Sequence, residues 1–191
     1  MVKQKMDRRS NRTRVRLSDS LFELIAERRY DDITVQGLID RADVGRSTFY
    51  AHYRDKGDLL LHGWNGFVDL IAEGTEIEQD SGRVTVPVQM LLEHLKDTRP
   101  LQHGLERSQL VDRLLRIGRQ RLAESLSARL KSVFVEQESF DAAFLANHIA
   151  TSLFGLLIWW RENGAGRDAK KLHIQYNELL NSGLRHPSLE E

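Results

Sequence analysis

The sequence contains no cysteine among its 191 residues, which excludes disulfide scaffolds, cysteine-ligated zinc, iron–sulfur clusters and thiol catalysis. It has only three prolines and no sustained alternation of β-branched residues, and both features argue against a sheet-based fold. Its most apolar stretch, residues 153–160, is far shorter than the ~20 residues of a membrane-spanning helix. The basic N-terminus is not followed by the apolar segment of a secretory signal. We therefore expect an all-α, cytoplasmic protein without a membrane partner.

The sequence has no formal net charge, because 28 Lys and Arg residues balance 28 Asp and Glu residues. The distribution is uneven, however: residues 1–16 carry a net charge of +6, which leaves −6 on residues 17–191. The basic groups of this arm are Lys3, Lys5, Arg8, Arg9, Arg12, Arg14 and Arg16. Such asymmetry suggests a polyanion partner at the N-terminal end. The arm is either a solvated tail or a segment that reaches a DNA minor groove.

Helical periodicity begins near residue 11, where Leu17, Leu21, Leu24 and Ile25 form one apolar stripe and predict a helix over about 11–28. Thr34 is a good N-cap for a second, short helix that ends near residue 42. A third helix follows over 46–53. The residues between these two helices are suited to a tight turn, because Asp tolerates a left-handed conformation and Gly is an acceptable N-cap.

A fourth helix is predicted from residue 55 to about 78. Further helices are expected at about 86–97, 101–108, 110–136, 141–163 and 168–183, separated by turn residues. This pattern predicts about nine helices in two domains. The first, 1–55, is a three-helix helix-turn-helix domain, and the second, 56–191, is a helical bundle.

Two short helices joined by a tight turn, the second beginning with basic and small residues, are typical of a helix-turn-helix that reads DNA. Arg46 lies at the start of the second helix, where its guanidinium can bind a guanine edge through two hydrogen bonds. Thr34 begins the preceding helix, whose free N–H groups favour a phosphate. The predicted DNA-contacting residues are Thr34, Arg46, Ser47, Thr48, Tyr50, His52 and Lys56, with Ala51 as a further position facing the bases.

Some of these residues also have a simpler interpretation. Arg46 could be a solvated charge and Thr34 a helix cap alone, and at least one aromatic residue of the third helix belongs to the core. We expect Phe49 and Tyr53 in the core and Tyr50 on the DNA side. No metal-ligand spacing and no nucleophile or phosphate-loop motif is present, so we predict neither a catalytic site nor a cofactor.

Four runs carry a resemblance to a known family: Tyr30–Val35, Ile39–Val44, Ser47–Tyr53 and Lys56–Leu60. In this order they resemble the N-terminal domain of TetR/AcrR-type transcriptional regulators. Residues 154–164 and 179–184 are similar to the last two helices of one branch of that family. The resemblance implies a homodimeric regulator, in most cases a repressor, that binds a double-stranded operator and responds to a small molecule in its C-terminal domain. The alternative is a coactivator or protein–protein adaptor that has lost operator binding.

The helix predicted at 141–163 is apolar on nearly all sides, so both of its faces must be covered. One stripe contains Leu145, Ile149, Leu153, Leu156 and Trp160, and the other contains Phe144, His148, Thr151, Gly155 and Ile158. We expect this helix and the last one to form a four-helix bundle with the partner chain. The predicted interface residues are Leu153, Leu156, Trp160, Tyr176, Leu179 and Leu180.

An effector site is expected among the helices after residue 58, because the DNA-binding unit is too small to enclose a molecule. The candidate ligand-binding residues are Trp64, Phe67, Met90, His94, His103 and His148. The three histidines have the alternative roles of helix caps or core residues. No excess of positive charge is expected to face inward, which favours an apolar or weakly polar effector.

Overall fold

The computed structural model describes residues 2–98, 105, 110–133, 141–163 and 166–184. In this part of the chain eight α-helices account for nearly all regular structure, which confirms the all-α prediction. The chain divides into two compact units, residues 1–64 with 98–114 and residues 65–97 with 115–191.

The first unit contains the helices α1 (Val2–Glu27), α2 (Val35–Ala42) and α3 (Arg46–His52) and the start of α4 (Lys56–Gly74). A short 3-10 helix, Tyr30–Asp32, connects α1 to α2. The prediction that α1 begins near residue 11 is wrong, because the backbone is helical from Val2. An apolar stripe marks only the part of a helix that packs, so it does not show where the helix begins.

The core of the first unit is formed mainly by apolar residues at the helical spacings identified in the sequence. Its buried members are Leu17, Leu21, Leu24, Ile25, Tyr30, Ile33, Leu38, Ile39, Ala42, Phe49, Tyr53, Leu59, Leu60 and Leu114. Leu59 and Leu60 belong to α4, so the beginning of this helix is part of the first unit. The unit consequently extends to Trp64, beyond the boundary expected at residue 55.

The second unit contains the rest of α4 and the helices α5 (Val88–Asp97), α7 (Ala142–Asn163) and α8 (Ala169–Leu184). It also contains helix α6 (Leu110–Val133) from residue 115 onward, because the first residues of α6 belong to the first unit. The helix predicted at 101–108 lies outside the described residues except for Leu105, which is helical. α4 ends at Gly74, earlier than predicted.

A hairpin of two short strands, β1 (Glu76–Ile77) and β2 (Val84–Thr85), follows α4 and was not predicted. Two buried amide side chains of α8 pair with the backbone of β2 and of Val86, the residue that follows it. Asn181 accepts from the Val84 N–H at 2.9 Å and donates to the Val84 carbonyl at 2.8 Å. Asn177 makes the equivalent bonds to Val86 at 2.8 and 3.0 Å. These amides satisfy backbone groups that would otherwise be buried without partners.

Within the described residues, α7 is the one helix whose length and composition would also suit a membrane span. The stretch 153–160 identified in the sequence is therefore shorter than the apolar part of this helix. A core helix of a soluble protein meets the same criteria, and nine side chains of α7, from Ala142 to Trp160, are buried in this fold.

Candidate nucleic-acid interface

The turn between α2 and α3 has the geometry that its sequence predicts. Asp43 is left-handed, with φ 49° and ψ 53°. Its N–H donates to the Asp40 carbonyl at 3.3 Å, and the Val44 N–H donates to the Ile39 carbonyl at 3.0 Å, which together form a Schellman motif. The Asp43 carboxylate also accepts from Arg16 of α1 at 2.9 Å.

Helix α3 separates a polar surface from an apolar one. Arg46, Ser47 and Thr48 are exposed in its first turn, and Tyr50 is 51% exposed. Phe49 and Tyr53 are 0% and 4% exposed, which confirms their predicted place in the core. The buried pair holds α3 on its unit, so the first turn is presented outward on a rigid support. Ala51 is also exposed, whereas His52 is only half-exposed.

Thr34 caps α2, and its Oγ1 accepts from the Gly37 N–H at 3.0 Å. Thr34 and Gly37 are exposed, so the positive end of the α2 dipole faces solvent. The orientation of α2 on α1 is supported by Arg41, whose guanidinium donates to both carboxylate oxygens of Glu27 at 2.6 and 2.8 Å. Hydrogen bonds from Arg41 lower the pKa of Glu27 and raise that of Arg41.

Lys56, which is predicted to contact a phosphate, binds backbone carbonyls of its own chain. Its Nζ donates to the carbonyl oxygens of Tyr30 at 2.7 Å, Ile33 at 2.7 Å and Asp31 at 3.2 Å. It also lies 4.4 Å from the centre of the Tyr30 ring. Burial lowers the pKa of Lys56, and burial raises the pKa of Tyr30 to about 12. An ammonium group has three donors, and here all three are used by the protein itself.

Further basic groups lie on the first unit. Arg12, Arg14 and Arg16 of the arm are exposed on α1, whereas the side chains of its earlier basic residues lie outside the described part. Arg54, just before α4, has a side chain that is 87% exposed, although it pairs with Asp58 at 3.4 Å. Arg54 is not among the residues predicted to contact DNA. Its position in the loop between α3 and α4 was the available signal.

Among the described residues, two of the predicted effector residues, Phe67 and His94, lie against each other. The Phe67 and His94 rings of the second unit stack with their centres 4.6 Å apart, and burial lowers the pKa of His94. Met90 is 42% exposed, and His148 is exposed, so neither lines an interior as predicted. Trp64 packs against the core of the first unit, and His103 lies outside the described residues.

The predicted dimer residues also divide into two groups. Leu153, Trp160 and Leu180 are 0%, 2% and 8% exposed within a single chain, so they cannot supply interface area as predicted. Tyr176 is half-buried, and its hydroxyl bonds to Ser152 at 2.8 Å within its own unit. Leu156 is half-buried, and Leu179 is 77% exposed.

The exposed side of α7 is the other predicted stripe. Phe144 is 67% exposed, His148, Thr151 and Gly155 are exposed, and Trp159, one residue beyond Ile158, is 39% exposed. Together with Leu179 of α8, these residues are defined here as the exposed α7/α8 residues. The stripe of α7 that was predicted to face a partner chain is therefore mostly buried, and the other stripe is mostly exposed.

Comparison with known proteins finds a family match within the first unit. Residues 18–62 match the family model described as bacterial regulatory proteins, tetR family. A curated relative from Bacillus subtilis strain 168, the HTH-type transcriptional regulator YxbF, is 21% identical over 183 residues. These residues are 92% of this chain and 46% of the relative, so the chain spans about half the length of that protein.

Two solved structures have the same fold. A TetR transcriptional regulator from Streptococcus agalactiae 2603V is 24% identical, with a TM-score of 0.57 over 93% of this chain and 98% of that one. A TetR-family regulator from Syntrophomonas wolfei strain Goettingen is 17% identical, with a TM-score of 0.63 over 94% of this chain and 98% of that one. Residues 18–62 are therefore similar to the tetR family of bacterial regulatory proteins, and the fold is similar to that of the two solved regulators.

Proposed function

We propose that this protein is a sequence-specific DNA-binding transcriptional regulator, a repressor, that acts as a homodimer in the cytoplasm. The observation that carries the proposal is the division of α3. An exposed first turn of Arg46, Ser47 and Thr48 stands on the buried pair Phe49 and Tyr53. This arrangement suits a recognition helix, whose first residues contact base edges in the major groove.

The exposed side chains fall into two roles. Arg46 and Ser47, with Ala51 beside them, face the bases, because Arg binds the two acceptors of guanine and a small residue permits close approach. Thr34, Thr48, Tyr50 and His52 position the protein on phosphates. At Thr34 the free backbone N–H groups and the positive dipole of the α2 N-terminus supply the binding.

Selection of genomic fragments by the purified protein tests this function. We expect an enriched palindrome, because a two-fold dimer reads two equivalent half-sites. Arg46→Ala will relax the preference at one position of each half-site and weaken binding by about 1–3 kcal/mol. Lys170→Ala, which removes an exposed charge from the second unit, is the matched control. Recovery of fragments without any shared sequence would overturn the proposal and favour an adaptor or coactivator.

The homodimer is proposed to form through the exposed α7/α8 residues. Their apolar members Phe144, Trp159 and Leu179 retain most or much of their accessible surface in a single chain. Large apolar side chains that stay exposed in a single chain are candidates for an interface. Two helices from each chain would then form a four-helix bundle.

The effector is proposed to be an apolar or weakly polar molecule that carries a hydrogen-bond acceptor. The Trp160 indole N–H is buried in the second unit and has no hydrogen-bond partner among the described residues. A buried donor without a partner is uncommon, and an acceptor on a ligand would satisfy it. Compounds that raise the melting temperature should lose this effect in Trp160→Phe, which keeps an aromatic ring but removes the N–H. They should also change operator affinity, and a tight ligand that leaves it unchanged would refute gating.

A further inference from the structure

We propose that Lys56 is a positioning residue, whose ammonium group holds the Tyr30–Ile33 turn and thereby orients the N-terminus of α2, and that it does not bind a DNA phosphate. The first part of this inference depends only on the fold of the first unit. The second part rests on the proposed DNA-binding function.

The turn held by Lys56 is also supported by the side chains of Tyr30 and Ile33, which are buried in the core of the first unit, and by two backbone hydrogen bonds. Within it, the Ile33 N–H donates to the Tyr30 carbonyl at 3.1 Å and the Asp32 N–H donates to the Arg29 carbonyl at 3.1 Å. The carbonyls of Tyr30, Asp31 and Ile33 all point their negative ends at the place that the Lys56 ammonium occupies. A cation at this place removes their mutual repulsion, and the Tyr30 ring adds a cation–π contact.

The turn leads directly into the α2 cap. Ile33 precedes Thr34, whose Oγ1 and carbonyl accept from the N–H groups of Gly37 at 3.0 Å and Leu38 at 3.1 Å. The bond from Lys56 to the Ile33 carbonyl thus fixes the peptide plane immediately before the cap. Because the cap sets the direction of the first-turn N–H groups of α2, Lys56 controls where they point.

The same geometry separates Lys56 from a phosphate ligand. A phosphate-binding lysine acts as a point charge with donors free for the anion. Lys56 has its donors on carbonyls and its Nζ over an aromatic ring, whereas the exposed Arg46 and Arg54 have side chains that face solvent.

Hydrogen exchange tests the positioning role without DNA. In Lys56→Met, which keeps the apolar stem, we expect at least roughly ten-fold faster exchange of the Ile33, Gly37 and Leu38 amides. The amides of α7 will be unchanged, because the variant alters a local opening and not global stability. Unchanged exchange at Ile33 and Gly37 would overturn the proposal. If Lys56→Met does not fold, the ammonium signal of Lys56 in the NMR spectrum of the native protein decides. Its hydrogens should exchange more slowly than those of the exposed Lys170, and equal rates would overturn the proposal.

The salt dependence of DNA binding tests the second part. Each lost phosphate contact reduces the slope of log K against log salt by about 0.9, so two per dimer would reduce it by about 1.8. We expect Lys56→Met to weaken binding at least roughly ten-fold with the slope unchanged. A slope reduced by about 1.8 would show a phosphate contact and overturn this part. If the unaltered protein selects no DNA sequence, the proposed function fails, while hydrogen exchange still decides the positioning role.

The absence of cysteine permits a chemical rescue. Lys56→Cys contains a single thiol, which 2-bromoethylamine converts to a lysine analogue with the same three donors. We expect this product to restore slow exchange at Ile33 and tight DNA binding. Alkylation by a reagent that adds a trimethylammonium group restores the charge but no N–H donor, and it should restore neither. Recovery by the trimethylammonium product would overturn the requirement for donors.

Discussion

The proposed dimer surface can be tested by mutation, because two leucines on helices α7 and α8 have opposite exposure. Leu179 on α8 is 77% exposed in a single chain, whereas Leu153 on α7 is 0% exposed. If the exposed α7/α8 residues form the interface, Leu179→Glu will separate the protomers without unfolding them. Leu153→Ala will instead destabilise each protomer.

The size of both effects follows from burial. Full burial of a leucine contributes about 1.5–3 kcal/mol. Since about three quarters of the Leu179 surface is still available, each copy contributes about 1–2 kcal/mol at the interface, and a dimer contains two copies. The dissociation constant should therefore rise roughly 100-fold, before the cost of burying the glutamate charge is added. Leu153→Ala should reduce the free energy of unfolding by about 2–5 kcal/mol.

Sedimentation velocity at micromolar concentration measures the first effect, and circular dichroism at several protein concentrations measures the second. The concentration series is needed because dissociation alone lowers the melting temperature of a dimer. We expect Leu179→Glu to sediment as a folded monomer with native helix content. A persistent dimer, or loss of helix at all concentrations, would refute the assignment of the interface.

Three further predictions concern stability. Gly37→Ala will stabilise the first unit by up to about 1 kcal/mol in chemical denaturation, because the added methyl would meet only the capping hydroxyl, at 3.4 Å. Asn181→Leu will destabilise the second unit by about 2–4 kcal/mol, since it leaves the buried N–H and carbonyl of Val84 unpaired, and Ser182→Ala is the control. Hydrogen bonds from Arg54 lower the pKa of Asp58, so its contribution is complete above the ordinary value of 3.8 and is lost as the pH falls through the folded-state pKa. Thermal melts should show a shallower loss of stability with acidification in Asp58→Asn than in the native protein.

Much of the first unit can be predicted from sequence, because its signals are local. The Thr34 cap, the left-handed Asp43, and the spacing of Phe49 and Tyr53 each depend on residues within two helical turns. Local rules also identify the exposed first turn of α3. Caps, periodicity and turn preferences operate over the same short range.

The contacts of Lys56 could be seen only in the tertiary structure. In sequence it is a basic residue at a helix start, a position where a phosphate contact is a reasonable expectation. Its three acceptors lie 23 to 26 residues earlier in the chain, and no periodicity connects them. The bonds from Val86 to Asn177 and from Val84 of β2 to Asn181 span still longer separations, of 91 and 97 residues.

The sequence alone determined that α7 is apolar on two sides, and it predicted that one of them packs within its own chain. It could not determine which side, because Leu153 and Trp160 on one stripe are no more apolar than Phe144 on the other. Only the packing of the second unit decided this, by burying the first two residues and leaving Phe144 67% exposed. The hydrophobic effect depends on the area removed from water and not on which neighbour removes it, so composition and periodicity are the same for a core and for an interface.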